Sequence, residues 1–327
     1  VGIITSVQTI IGGIMKLEDL LNEYYLSFEY NNLRQETKVQ YKYFLGIVSS
    51  TSVVDGKELG SYKLSSLTTK LAKLSYNKWC ERGVSFANHL MSVVRVLLNY
   101  GINMEHCNMN PFSNIKKRVT KSRKVVWTKE DVIRFLDTCY SDFNTRSIGL
   151  IAQMAYEWCQ RIGDMRLLEW SNLDLDAKRM QIEQSKRRAQ VFLPISGELH
   201  EMLVQQHDDY GFQKYVVPRP RAYRGSYKPY SLTKLPILAR KIMDSAGLSK
   251  ELRLSDLRRT GTVEMVDAGV SMGNIMSVTG HANPQSVKPY MKNTFTSANL
   301  ALQARKNLTH EKSYGTSMLS ADKEGCI

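Results

Sequence analysis

One interruption in an otherwise helical pattern constrains this chain most. Leu173-Asp-Leu175 and Met180-Gln-Ile182-Glu alternate apolar and polar residues around Asp176-Ala177-Lys178, as a hairpin requires, and residues 189–195 read as a third short strand. Elsewhere apolar residues recur every three or four positions. Leu17, Leu20, Leu21 and Tyr24 form one such stripe. Further helices are predicted over residues 35–48 and 65–81, and Phe86, Leu90, Val93, Val94 and Leu97 carry a stripe that ends near Tyr100-Gly101. Gly56 and Gly60 punctuate a loop, and Asn110-Pro111 closes this part. Thr128, with Asp131 three residues on, predicts the capped start of a helix over 129–140. Helices over 145–159 and 161–169 precede the strands, and others over 197–206, 232–246, 255–268, 272–278 and 298–308 follow them. The expected fold class is mainly α with a small antiparallel β-sheet. A length of 327 residues, 43% of them hydrophobic, suggests two domains with real cores.

The two domains are expected at 15–115 and 127–310, joined by a basic linker over 116–126. Residues 1–14 are uncharged and mostly apolar, too short to span a bilayer and without the basic start of a signal peptide. They read either as an extension that is not translated, with Met15 as the start, or as a segment whose Val1 reflects an alternative start codon. The polar stretch 311–327 is expected to be disordered. A formal net charge of +14 points to a polyanionic partner, nucleic acid before membrane. The linker concentrates that charge in Lys116, Lys117, Arg118, Lys121, Arg123 and Lys124, which are expected to contact phosphates rather than merely be solvated. Residues 218–229 read as a loop in which Arg219, Arg221, Tyr223, Arg224, Tyr227 and Lys228 interleave base and aromatic, a pattern that suits a nucleic-acid surface. Cys80, Cys107, Cys139, Cys159 and Cys326 are scattered and unpaired, as in a reducing cytosol, and give no zinc pattern. His106-Cys107 has no second ligand pair at finger spacing and reads as structural. No transmembrane segment is expected.

Three boxes carry the chemistry: Arg161-Ile-Gly-Asp164, Ser255-Asp-Leu-Arg258-Arg259-Thr260, and Gly280-His281 with Tyr290 nine positions later. Two forked guanidiniums can each grip the non-bridging oxygens of a phosphate. A histidine can add to that cradle, and a phenol oxygen can attack phosphorus. Each of the 17 tyrosines is individually more at home in packing, so it is the joint spacing that selects Tyr290.

With these boxes the chain resembles the tyrosine recombinases of the phage-integrase family, from about residue 15 to residue 308. The resemblance implies a helical core-binding domain and a catalytic domain that clamp DNA. It makes Arg161 the first phosphate ligand, supported by Asp164, and leaves Arg166 off the pattern. Where the family usually has a glycine two residues before that arginine, this chain has Cys159. Lys186, in the turn between the second and third strands, becomes the donor of a proton to the leaving 5′ oxygen, with Arg187 and Arg188 as competitors. Arg258 becomes the second phosphate ligand, and Arg259 is excluded by register. Ser255 stands where the family usually has histidine; a hydroxyl can hold a phosphate but cannot take a proton near neutral pH. His281 is implied to bind the scissile phosphate and orient Tyr290, the implied nucleophile.

The implied reaction passes through a 3′-phosphotyrosyl link and needs no cofactor, ATP or metal. The implied partners are double-stranded DNA with specific recombination sites, sister protomers in a homotetramer on two such sites, and DNA-bending accessory proteins. The setting is a bacterial host cytoplasm. The helix over 298–308 is expected to pack on a neighbouring protomer, or else on its own domain. The leading reading is integration or excision of a phage or mobile element. The alternatives are a resolvase of replicon dimers, a type IB topoisomerase acting as a monomer, and a non-cutting DNA-binding regulator. Ser255 speaks for the last; Tyr290 with both arginines speaks against it.

Overall fold

The helical stripes meet one another in a computed structural model that describes residues 15–54, 56–186, 188–291 and 295–309. The expectations for residues 1–14, Arg187 and residues 311–327 therefore lie outside the described residues. The chain divides into two units between Arg123 and Lys124.

In the first unit, α1 (Leu17–Leu26), α2 (Phe28–Asn31), α3 (Gln35–Ser49), α4 (Thr69–Glu81) and α5 (Val84–Asn103) share one core. Leu17, Leu20, Leu21 and Tyr24 bury the inner face of α1 against Leu97 and Leu98 of α5 and Leu45 and Val48 of α3. Thr68 starts α4 by accepting the Leu71 N–H at 3.2 Å. The stretch read as a loop at Gly56 and Gly60 is instead a small hairpin, in which β1 (Ser52–Val54) pairs antiparallel with β2 (Lys57–Glu58). Gly56, at φ 68°, supplies the left-handed residue of its turn. His106, read as structural, pairs with Glu23 at 2.9 Å.

Part of the basic run binds back to this unit. The Arg118 N–H donates to the Tyr76 hydroxyl at 2.7 Å and its guanidinium to Asn77 Oδ1 at 3.1 Å, while the Lys117 ammonium donates to the Ser92 hydroxyl. Partial burial, and next the charge of Arg95, hold the Lys117 ammonium below the usual lysine pKa. Lys116, Lys121 and Lys124 are exposed.

In the second unit, α6 (Lys129–Tyr140) opens with the expected capping box of Thr128 and Asp131. It packs on α7 (Phe143–Glu157), whose residues from Arg146 to Ala155 are all buried. Gly149 permits that approach, because a Cβ there would lie 2.7 Å from both Cys139 and Tyr140 side-chain atoms. After a single-turn helix, α8 (Ile162–Met165), come β3 (Leu173–Asp174), β4 (Arg179–Glu183) and β5 (Gln190–Pro194), an antiparallel sheet in the order β3-β4-β5. Met180, Ile182, Val191 and Leu193 face the core while their neighbours are exposed. Then follow α9 (Gly197–Tyr210), α10 (Lys234–Ser245), α11 (Leu257–Asp267), α12 (Met272–Thr279) and α13 (Phe295–Thr309).

Two expectations fail here for tertiary reasons. Residues 161–169 give only the one turn of α8, because the chain then pairs with 214–216: Val216 N–H donates to Leu168 O at 2.9 Å and Trp170 N–H to Lys214 O at 3.1 Å. Residues 218–229 are a narrow ribbon rather than a plain loop. Arg219 N–H bonds Lys228 O at 2.9 Å, Tyr223 and Ser226 exchange bonds of 2.9 and 3.1 Å, and Arg224 and Gly225 turn the tip at φ 50° and 74°. No helix among the described residues is long and apolar enough to cross a membrane.

Candidate active site

Arg161 is delivered by the way α7 ends. Cys159 adopts φ 50°, the left-handed region in which helices commonly terminate and which glycine enters without a steric cost. The backbone thus explains why glycine suits this position, and the cysteine here carries a strain of about 1 kcal/mol. Its side chain is accommodated by Gly261 on α11, where a Cβ would press on the Tyr156 carbonyl oxygen and lie 2.7 Å from Cys159 Sγ. Burial pushes the Cys159 thiol up to about 11. Past this turn Arg161, half-buried, donates from Nη1 to Gln184 Oε1 at 2.8 Å and lies 3.7 Å from Asp164 Oδ2. The other Asp164 oxygen accepts the Ser185 N–H at 3.2 Å and the Ser185 hydroxyl. Arg166 faces away and donates to Tyr230 O at 2.8 Å.

Gln184 ties the site together. Wholly buried, it gives Nε2 to Gln160 Oε1 at 2.6 Å and to Thr279 O at 2.9 Å while its Oε1 receives Arg161. Gly280, which ends α12 at φ 67°, lies against this amide so closely that a Cβ would sit 2.7 Å from Gln184 Cδ and 2.9 Å from Oε1. The Thr279 carbonyl is also the acceptor for Arg258 Nη2 at 2.8 Å. Sequence reasoning missed Gln184 and Gln160. The signal for Gln184 was register: it continues the inward set Met180, Ile182, and a polar side chain at an inward position needs partners.

Arg258, on the first turn of α11, is buried. Its Nη1 is buried with no hydrogen-bond partner among the described residues. Desolvation first, and then the charge of Arg161, lower its pKa to about 10. Nη2 also meets His281 Nε2 at 3.2 Å. The Thr279 hydroxyl donates its one proton to Ile275 O at 2.7 Å, so it accepts from His281 Nδ1–H, also at 2.7 Å. That assigns the neutral tautomer with its lone pair on Nε2, toward Arg258. Tyr290 closes the short turn Lys288–Tyr290, with its ring centroid 6.1 Å from that of His281.

Arg161, Asp164, Arg258, His281 and Tyr290 are therefore brought together within one unit. Two further expected members make no side-chain hydrogen bond to this group among the described residues. Lys186 is exposed in the turn after β4, two residues beyond Gln184, and Ser255 is exposed in the turn Leu254–Asp256 with no side-chain hydrogen bond among the described residues. The described residues hold no cluster of His, Cys, Asp and Glu suited to a metal ion.

Known proteins share this architecture. The lambda integrase solved as a dimer on a COC′ core site superposes with a TM-score of 0.71 at 17% identity, over 90% of this chain and 81% of that one. The lambda integrase tetramer on a Holliday junction gives 0.71 at 17%, over 88% and 81%. The Tn1549 transposon integrase with transposon right-end DNA gives 0.70 at 15%, over 89% and 99%. At such identities the likeness carries the fold. A comparison with curated protein sequences finds no match. The family model for the phage integrase family matches residues 126–297, more than half of the chain and every box of the site, and the chain belongs to that family of tyrosine recombinases.

Proposed function

We propose that this chain is a site-specific recombinase that cuts and rejoins DNA through Tyr290, serving the integration or excision of a phage or other mobile element. The observation that carries the site assignment is Arg258 Nη1, a buried cationic donor with no hydrogen-bond partner among the described residues, beside a second guanidinium and with a tyrosine at hand. A buried charged donor left unsatisfied is costly, and an anion such as a phosphate diester removes that cost. Arg161 and Arg258 hold the two non-bridging oxygens and gather the charge that grows on them. His281, neutral and with its lone pair on Nε2, orients the phenol and accepts its proton, and the Nε2–H so formed then donates to the phosphate.

The Tyr290 oxygen passes its proton to His281 Nε2 and attacks phosphorus in line, the bond from phosphorus to the 5′ oxygen breaks, and a 3′-phosphotyrosyl link forms. Lys186 supplies the proton that leaves with the 5′ hydroxyl; its turn is anchored through Gln184 to Arg161 and through Ser185 to Asp164. A 5′ hydroxyl from the partner strand then reverses the step, so no cofactor is consumed. Double-stranded recombination sites are the substrate, and four copies act on two sites, a reading that the lambda integrase tetramer on a Holliday junction supports. The setting is a bacterial host cytoplasm.

The test is covalent capture. A nicked duplex selected from a random-sequence pool by binding to the wild-type chain should become linked to the protein, and Tyr290→Phe should bind the same duplex without forming the adduct. An adduct with the Phe variant would show that the nucleophile lies elsewhere. Binding without any wild-type adduct would assign a DNA-binding regulator instead.

A further inference from the structure

The family pattern gives Arg259 no role, yet its side chain touches the residue proposed to do the chemistry. The first turn of α11 sends two consecutive arginines different ways. Arg258 goes inward to Thr279 O and His281. Arg259, half-buried, places its guanidinium carbon 4.9 Å from the centroid of the Tyr290 ring. A guanidinium over a phenol face is attracted by the ring's negative quadrupole, and partial burial strengthens the attraction. The Tyr290 hydroxyl makes no hydrogen bond among the described residues, so what fixes the ring is its backbone turn, the Arg259 cation and the tilted imidazole of His281. The turn holds the backbone through Tyr290 N–H to Val287 O at 2.9 Å, with Val287 buried, and the two side-chain contacts bear on χ1 and χ2.

We propose that Arg259 is a positioning residue that docks the Tyr290 ring in the site of its own chain before DNA arrives. The inference rests on Tyr290 being the nucleophile. Its consequence is kinetic. An undocked phenol must find its rotamer during each encounter, whereas a docked one starts within reach of the phosphate that Arg161 and Arg258 hold. The position of the Tyr290 oxygen fits this, since it is one of the groups that favour the charged form of Arg258. Lysine at 259 keeps a cation that can reach the ring, and alanine removes it.

The test uses the full chain, with Arg259→Ala and Arg259→Lys, and two readouts. Without DNA, the ring signals of carbon-13-labelled tyrosines are recorded by NMR, and Tyr290 is identified by the signal missing from Tyr290→Phe. Arg259→Ala should move that signal toward an exposed tyrosine, and Arg259→Lys should hold it near the wild-type position. With saturating nicked duplex, selected as above, Arg259→Ala should form the covalent adduct about tenfold more slowly, at unchanged affinity, while Arg259→Lys stays within about threefold of wild type. An unmoved Tyr290 signal in Arg259→Ala overturns the proposal. So does a loss that appears only as weaker DNA binding, which would make Arg259 a phosphate contact. Should Arg259→Ala fail to fold, Arg259→Gln, which keeps length and polarity but not charge, takes its place with the same expected outcomes. An adduct formed by Tyr290→Phe refutes the nucleophile assignment. An inert Tyr290→Phe beside a full-speed Arg259→Ala refutes the docking role alone.

Discussion

Gly280→Ala tests whether one amide organises the site. The new Cβ must adopt φ 67°, which costs about 1 kcal/mol in an L residue. It must also displace Gln184, whose Cδ and Oε1 would lie 2.7 and 2.9 Å away. Gln184 cannot yield without losing its bonds to Arg161, Gln160 and Thr279 O, each contributing about 1 kcal/mol. Gly280→Ala should therefore destabilise the second unit by about 4 kcal/mol, a large part of the roughly 5–15 kcal/mol that holds a domain together. Gln184→Ala alone should cost about 3 kcal/mol. Once Gln184 is alanine the steric conflict is gone, so adding Gly280→Ala should cost only the backbone strain, about 1 kcal/mol. The double variant then lies near 4 kcal/mol rather than the additive sum near 7, a coupling of about 3 kcal/mol. Urea unfolding followed by tryptophan fluorescence reads this well, because Trp127, Trp158 and Trp170 all lie in the second unit. Additivity within about 0.5 kcal/mol would mean that Gly280 and Gln184 do not meet, and the account of the site would fail with it.

Arg161→Ala or Arg258→Ala should slow adduct formation at least about a hundredfold with little change in affinity, because each removes a preorganised donor to the transition-state phosphate; equal losses of binding and cleavage would assign them to docking or folding. Neutralising Lys116, Lys117, Arg118, Lys121, Arg123 and Lys124 together should flatten the salt dependence of DNA binding by several units of slope. Lys116, Lys121 and Lys124 should contribute more of it than Lys117 and Arg118, whose side chains bind Ser92 and Asn77, and an unchanged slope would make the run merely solvated. Ser255→His should fold normally, since the position is exposed, and should preserve or speed cleavage with a pH–rate profile altered near neutrality. Loss of DNA binding in that variant would show that the box is misaligned.

What the sequence made legible follows the range of the interactions involved. The helix over 129–140 was readable because its start is set by residues three apart, Thr128 and Asp131. The strands were readable because a period of two survives any tertiary context that buries one face, as Met180, Ile182, Val191 and Leu193 are buried. The helix over 161–169 was misread because its end is decided by residues 214–216, which no local pattern announces. The ribbon at 218–229 was hidden because its turn places Arg224 in a left-handed conformation that sequence assigns to glycine or asparagine. Within the candidate site, linear spacing selected Arg161, Arg258, His281 and Tyr290, which the fold brings together. It could not find Gln184, whose partner Thr279 lies 95 residues away, and it set Arg259 aside although its guanidinium lies over the Tyr290 ring.

The residues missed and the residues found do different work. Taking a guanidinium out of water costs several kcal/mol even after relaxation, and among the described residues no carboxylate is in contact with Arg258. Asp164 is the nearby carboxylate, and it lies 3.7 Å from Arg161, with its other oxygen committed to Ser185. The neutral groups around Arg258, the Thr279 carbonyl and the His281 lone pair, satisfy Nη2 and hold the guanidinium plane without neutralising it. Gln184 does the same for Arg161. An amide and a carbonyl are suited to this because they fix direction and leave charge undiminished, whereas a carboxylate in either place would compete with the phosphate for the same cation. The polar network of Gln160, Gln184 and Thr279 thus holds two guanidiniums close together and open toward an anion that arrives from outside.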